Sequence, residues 1–133
     1  MKDIIVVTGG AGFVGSNLIN FFIKKTKYKI LSIDNYSSGT LKNHIKDKRV
    51  KYLRGDTKNI SKLRLNPKKI KTIFHFGEFA RIYQSFLKMN ECLDSNSIGT
   101  NAVFNYCLEN NIKLVYSATS ASLGNSGSDK NLS

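Results

Sequence analysis

The chain has 133 residues, 41% hydrophobic and 11% aromatic, enough to build the core of one globular domain spanning 1–133. No stretch approaches the ~18 consecutive apolar residues of a membrane span, and the apolar run Ile4–Val7 is too short for a signal-peptide core, so a cytoplasmic protein with no membrane partner is expected. The net charge of +12 raises nucleic-acid binding, but lysine outnumbers arginine 17 to 4 and phosphate and base readers favour the arginine fork; no nucleic-acid partner is expected.

In chain order, Ile4 to Val7 reads as a buried parallel strand, and Thr8 to Gly12 as a glycine turn. Phe13 to about Lys25 has helical spacing, with apolar residues at Phe13, Val14, Leu18, Ile19, Phe22 and Ile23. Lys29 to Ile33 is a second strand ending at Asp34, and Asn35 to Asn43 a polar loop. The densest basic stretch, Lys42 to Arg54, reads as a solvated loop and strand edge, and His44 within it suggests no role. Val50 to Leu53 is a third strand, and Asn59 to Leu65 a short helix stopped by Asn66-Pro67. Thr72 to Phe76 is a fourth strand, with His75 read as a core residue. Asn90 to Glu109 is a long helix, preceded by a shorter one from about Arg81, and Lys113 to Ser117 is a fifth strand. Strands alternating with helices imply an α/β fold of the Rossmann type, a doubly wound parallel sheet of order 3-2-1-4-5.

Cys92 and Cys107 fit no metal spacing. On one helix, 15 residues apart, they would be separated by about 22 Å. A disulfide needs Cα atoms within roughly 7 Å, so both are expected as small core residues in a reducing compartment. No metal site is expected.

The first turn reads Thr8-Gly9-Gly10-Ala11-Gly12-Phe13-Val14-Gly15 and fits both Gly-x-x-Gly-x-x-Gly and Gly-x-Gly-x-x-Gly. The early glycines permit the sharp turn, Gly12 lets the backbone approach a pyrophosphate, and Gly15 lets the helix pack closely. The helix N-terminus offers N–H groups and partial positive charge to phosphates. A glycine pattern alone is weak. It gains weight from the strand before it, the helix after it, and Asp34, 19 residues past Gly15 at the end of the second strand. A carboxylate there can accept hydrogen bonds from an adenosine ribose. It also repels a 2′-phosphate, and the Asn35–Asn43 loop holds no arginine, so NAD is favoured over NADP. No Lys-Ser/Thr P-loop is present.

These residues resemble the extended short-chain dehydrogenase/reductase family, in particular its UDP-glucose 4-epimerase-like members, over essentially the whole chain. Residues 8 to 18 are close to the family's opening motif, and the resemblance assigns Gly9, Gly12, Phe13, Val14 and Gly15 to the cofactor. Asp34, Asn35, Tyr36, Ser37, Ser38 and Gly39 look like the ribose-binding loop, and Gly55-Asp56 with Thr57 the adenine site. Phe74-His75-Phe76-Gly77 is similar to the segment lying along the cofactor, implying roles for Phe76, Gly77 and Ala80. Asn96-Ser97-Ile98-Gly99-Thr100, with Ser95 before it, looks like the Asn-x-x-Gly-Thr helix motif, which implies cofactor contacts from Ser95 and Asn96. Residues 115 to 124 resemble the segment carrying the catalytic hydroxyl, and that likeness singles out Thr119 among several loop hydroxyls. Related sugar 4,6-dehydratases carry Asp-Glu after that threonine, and UDP-glucuronate decarboxylases Ser-Glu. Here Ser120-Ala121 follow, which points to epimerisation or simple oxidation and reduction over elimination. Three places depart from the pattern: Gly77-Glu78 replaces a pair of small residues, Ala80 stands where some epimerases have lysine, and Leu123 replaces a tyrosine.

The resemblance also implies a Tyr-x-x-x-Lys pair that takes the sugar hydroxyl proton while hydride moves to NAD. Four positions after the tyrosines at 28, 36, 52, 83, 106 and 116 stand Ser32, Thr40, Asp56, Leu87, Asn110 and Ser120, none of them lysine. The expectation is therefore an incomplete NAD-binding domain without its substrate domain. The nucleotide-sugar substrate would belong to a longer form, and the exposed strand edge and helix face would favour self-association.

Overall fold

A computed structural model describes residues 1–36, 39–76 and 89–117, with residues 89–97 and Ser117 described by backbone alone. The chain runs β1 (Ile4–Thr8), α1 (Phe13–Lys25), β2 (Lys29–Asp34), a 3-10 turn at Leu41–Asn43, and β3 (Val50–Arg54). It continues through 3-10 turns at Thr57–Lys62 and Pro67–Lys69 to β4 (Ile70–Phe76), α2 (Met89–Asn110) and β5 (Lys113–Ser117). All strand pairs are parallel and the order is β3-β2-β1-β4-β5, as the alternation of elements predicts.

The pleat explains why β1 is apolar from Ile4 to Val7. Ile5 and Val7 point into a core with Ile19 and Phe22 of α1, while Val6 joins Ile60, Val103 and Cys107 on the other face. Thus α1 covers one face of the sheet, and α2 with the Thr57–Lys62 turn covers the other. That arrangement leaves the carboxyl ends of the strands, and the point where the order reverses between β1 and β4, as the place for a ligand.

α1 ends as its sequence dictates. Lys24 and Lys25 complement the C-terminal dipole, and the Thr26 N–H donates to Phe22 O at 2.9 Å. Arg49 then donates from both terminal nitrogens, to Thr26 O and Ile23 O, each at 2.7 Å. One member of the basic stretch is therefore a helix cap reached from 23 residues away, and not a solvated charge.

Three further expectations change. The short helix expected at Asn59–Leu65 is a 3-10 helix over Thr57–Lys62. The Asp56 carboxylate accepts the Lys58 N–H at 3.1 Å and starts a tight 3-10 turn two residues earlier. That turn kinks at Asn59, and Arg64, with φ of 59°, closes the segment in the left-handed region. Phe13 and Val14 match the helical spacing, yet Phe13 is 79% exposed and Val14 40%, because the first turn of α1 projects past the sheet. His44 is not an idle loop residue: its ring stacks on Tyr52 at 3.7 Å and 10°. Cys107 is buried as expected, and burial pushes its thiol up to about 11. The side chain of Cys92 and the short helix expected from Arg81 lie outside the described residues. Among those residues no helix is long and apolar enough to cross a membrane.

Candidate cofactor site

The candidate site forms on the carboxyl rim of the sheet. β1 delivers Thr8 to the glycine turn, and Gly9 makes that turn with φ of 74°. Its N–H donates to Ile33 O at 2.7 Å, tying the turn to β2. A Cβ on Gly15 would lie 2.1 Å from Gly9 O and 2.8 Å from Gly10 Cα, so only glycine lets α1 seat on its own turn. At Gly12, by contrast, the nearest atom is Gly9 O at 3.4 Å. Gly12 is the N-cap residue, no side chain caps the helix, and no acid stands in its first turn. The first-turn N–H groups have no intrahelical acceptor by geometry. An uncapped, acid-free helix start beside an open glycine is a place for an anion.

Asp34 ends β2 directly beneath this turn and is 7% exposed. Its Oδ2 accepts the Ala11 N–H at 3.0 Å and its Oδ1 the Tyr36 N–H at 2.7 Å. Among the described residues each oxygen accepts one hydrogen bond, which leaves a lone pair for a further donor. The Ala11 carbonyl accepts from Thr40 N–H at 3.1 Å and Asn43 Nδ2 at 2.8 Å, so the loop after β2 folds back over the glycine turn. Gly39 permits that closeness, since a Cβ there would meet Asp34 Oδ2 at 2.7 Å. Asn43 lies outside the motif, and nothing in the local sequence marks it as a tie.

Tyr36 sits in the left-handed region with φ of 63°. Its hydroxyl lies 2.6 Å from His44 Nε2, and the Arg54 guanidinium sits over its ring at 4.4 Å. Burial, then the Asp34 charge, raises the pKa of the Tyr36 phenol, and Arg54 opposes them. Burial likewise raises that of Tyr52, whose hydroxyl accepts the Ile45 N–H at 2.8 Å. Register places Arg54 opposite Asp34. A cation therefore reaches the loop from the neighbouring strand, although residues 35–43 themselves hold no arginine.

Asp56 is half-buried and caps the following turn, while Thr57 is buried against Gly99 of α2. Phe76 faces Gly9, its Cβ 3.9 Å from where a Cβ on that glycine would stand. Beneath them His75 is 2% exposed and stacked on Tyr116. Its Nδ1 lies 2.8 Å from Thr8 Oγ1, which accepts the Phe76 N–H at 3.1 Å, and its Nε2 lies 3.1 Å from Thr100 Oγ1. A ring proton on Nε2 satisfies every partner. Burial lowers the pKa of His75 to about 4, so the ring is neutral near pH 7.

The structure thus brings together Gly9, Gly12, Phe13, Val14, Gly15, Asp34, Asn35, Tyr36 and Gly39, with Asp56, Thr57 and Phe76 on the adjoining strand ends. Ser95 and Asn96 are placed on α2, one turn before Gly99, by backbone alone. Ser37, Ser38, Gly77, Ala80 and Thr119 lie outside the described residues.

The profile of the NAD dependent epimerase/dehydratase family matches residues 5–132. The chain belongs to that family. A curated relative, the bifunctional protein GAL10 of Candida maltosa, is 32% identical over 132 residues, covering 91% of this chain and 84% of the relative. The UDP-glucose 4-epimerase of Halalkalibacterium halodurans is 29% identical over 123 residues, covering 90% of this chain and 36% of the relative. The crystal structure of dTDP-glucose 4,6-dehydratase from Bacillus anthracis in complex with NAD is 28% identical with a TM-score of 0.68. It aligns over 85% of this chain and 36% of its own. The chain therefore spans about a third of the latter two relatives. It has the Rossmann-type, epimerase-like fold of this family.

Proposed function

We propose that this chain holds NAD along the carboxyl rim and forms the cofactor-binding part of a nucleotide-sugar 4-epimerase-like enzyme. The observation that carries the reading is the pairing of an uncapped α1 N-terminus at Gly12 with the Asp34 carboxylate fixed beneath it. The N–H groups of Phe13 and Val14 would receive the pyrophosphate. The remaining lone pairs of Asp34 would take the ribose hydroxyls, and the Asp56-Thr57 turn would border the adenine. Family resemblance adds Ser37, Ser38, Gly77, Ala80, Ser95 and Asn96 as further contacts. When bound, NAD supplies reversible hydride acceptance at a sugar carbon.

Thr119 is the hydroxyl proposed to orient the sugar. Ser120-Ala121 after it lack the acid and base that elimination needs, which supports epimerisation over dehydration. No tyrosine of the 133 residues has lysine four positions on, so the stretch is proposed to bind cofactor without turning over sugar. We place it in the cytoplasm. There the apolar corner of α2 and β5, with Phe104 41% and Leu108 80% exposed, favours self-association.

Calorimetric titration of the purified chain tests this reading. NAD should bind, and NADP about tenfold more weakly or worse, because Asp34 opposes a 2′-phosphate. Asp34→Asn should weaken NAD about tenfold and narrow the preference, since an amide cannot accept at both positions. Equal affinity for both dinucleotides would refute the assignment of Asp34, and no binding of either would refute the site. UDP-glucose turnover by the chain alone would refute its proposed inactivity.

A further inference from the structure

Two neighbouring residues of α2 reach in different directions. Thr100 meets the His75 ring at 3.1 Å, and through it Thr8, the residue before Gly9, at 2.8 Å. The Thr8 hydroxyl also holds the Phe76 N–H, so this one chain of contacts fixes the end of β1 and the end of β4. Gly99, one residue earlier, is buried against the loop after β3: a Cβ there would stand 2.6 Å from Thr57 Oγ1 and 4.0 Å from Lys58 N. β1 and β3 are not neighbours, since β2 lies between them. The Gly99-Thr100 turn bridges behind it.

We infer that Gly99 and Thr100 are positioning residues that set the glycine turn and the Asp56-Thr57 turn at the separation a dinucleotide requires, acting through His75 and Thr57 without touching the cofactor. The inference rests on the proposed NAD site for its purpose, but not for its geometry. A hydroxyl is needed at 100 because His75, buried and neutral, has a ring N–H that must find an acceptor. A methyl at 99 would press on Thr57 Oγ1 and push that side chain aside. A helix that only covered the sheet would need neither the hydroxyl nor the glycine. A shift of less than an ångström at this turn would alter the spacing of phosphate and adenine contacts, and so cost affinity while leaving each loop intact.

The test compares Thr100→Val, which keeps shape and removes the hydroxyl, with Thr100→Ser, which restores it, and Val103→Ala, a core truncation one turn on. Amide chemical shifts are recorded first on the chain without cofactor. Thr100→Val should move the amides of Thr8, Gly9, Gly10 and Phe76. Thr100→Ser should return them, and Val103→Ala should leave them in place. Gly99→Ala should move those of Thr57 and Lys58, and it serves as the second variant should Thr100→Val fail to fold. Calorimetry should then show NAD binding about tenfold weaker in Thr100→Val and less than about twofold weaker in Thr100→Ser and Val103→Ala. Glycine-turn amides that stay put in Thr100→Val, or that move as far in Val103→Ala, would overturn the inference. A parent chain that binds no NAD would sink the cofactor reading, while the amide shifts would still decide whether the α2 turn positions the two loops.

Discussion

The carboxyl rim and the far corner of α2 and β5 solve the problem of exposed surface in opposite ways. At the rim, backbone that leaves the sheet is tied down by polar contacts: Asp34 to Ala11 and Tyr36, Asn43 and Thr40 to Ala11, Tyr36 to His44. At the corner, apolar side chains stand open. Phe104, Cys107, Leu108, Asn111, Ile112 and Leu114 line a groove of about 330 Å³, and Val115 and Tyr116, on opposite faces of β5, are both over a third exposed. Among the described residues β5 is an edge strand. A hydrogen-bonded, preorganised rim suits a small polar ligand, whereas an apolar corner suits a macromolecular surface.

The rim depends on closeness, so the largest expected effect comes from removing it. Gly15→Ala forces a methyl onto the Gly9 carbonyl and should cost about 3 kcal/mol or more, read as a lower urea midpoint, with NAD binding lost. An unchanged midpoint would mean that the turn yields freely and is not preorganised.

Acid should be the next most damaging. The folded state holds the pKa of His75 at about 4, below its ordinary value of 6.5. The unfolded chain thus takes the proton first, and the stability contributed by the neutral ring is fully present above about pH 6.5. It is lost as pH falls toward about 4, by up to about 1.4 kcal/mol per pH unit. Urea midpoints at several pH values should show this slope in the parent and a shallower one in His75→Gln. Parallel slopes would remove His75 from the account.

Arg49→Ala strips two charge-assisted hydrogen bonds from the end of α1 and should cost about 2 kcal/mol, with a modest loss of NAD affinity passed along the helix. The smallest effect on stability belongs to the corner. Leu108→Lys should change the midpoint by less than about 0.5 kcal/mol yet reduce self-association in sedimentation, because Leu108 is 80% exposed. Unchanged association would move the contact surface elsewhere.

How much was legible in the sequence follows from the range of each interaction. α1 at Phe13–Lys25 and β5 at Lys113–Ser117 are read at their observed bounds, because periodicity and apolar runs are local signals. Asp34 stands out in the sequence because it ends a strand a fixed distance after a glycine turn. The short helix expected at Asn59–Leu65 starts two residues earlier and is 3-10, because the Asp56 carboxylate caps it at the Lys58 N–H. Arg49, His44 and Arg54 read in the sequence only as members of a basic run, since their partners are set by strand register and loop return and not by spacing. His75 reads as a core residue and is buried, but its ties to Thr8 and Thr100 span 67 and 25 residues and leave no local trace.

The Arg49 cap reaches beyond stability. α1 is a rigid rod about 20 Å long, seated at one end on Gly9 and Gly10 and gripped at the other by a two-pronged guanidinium from the β2–β3 connection. Such a rod can neither slide along its axis nor roll without breaking one of its two seats. The aim of its first turn is therefore set partly from the opposite edge of the molecule, and loosening the distal grip would be felt as play at the muzzle.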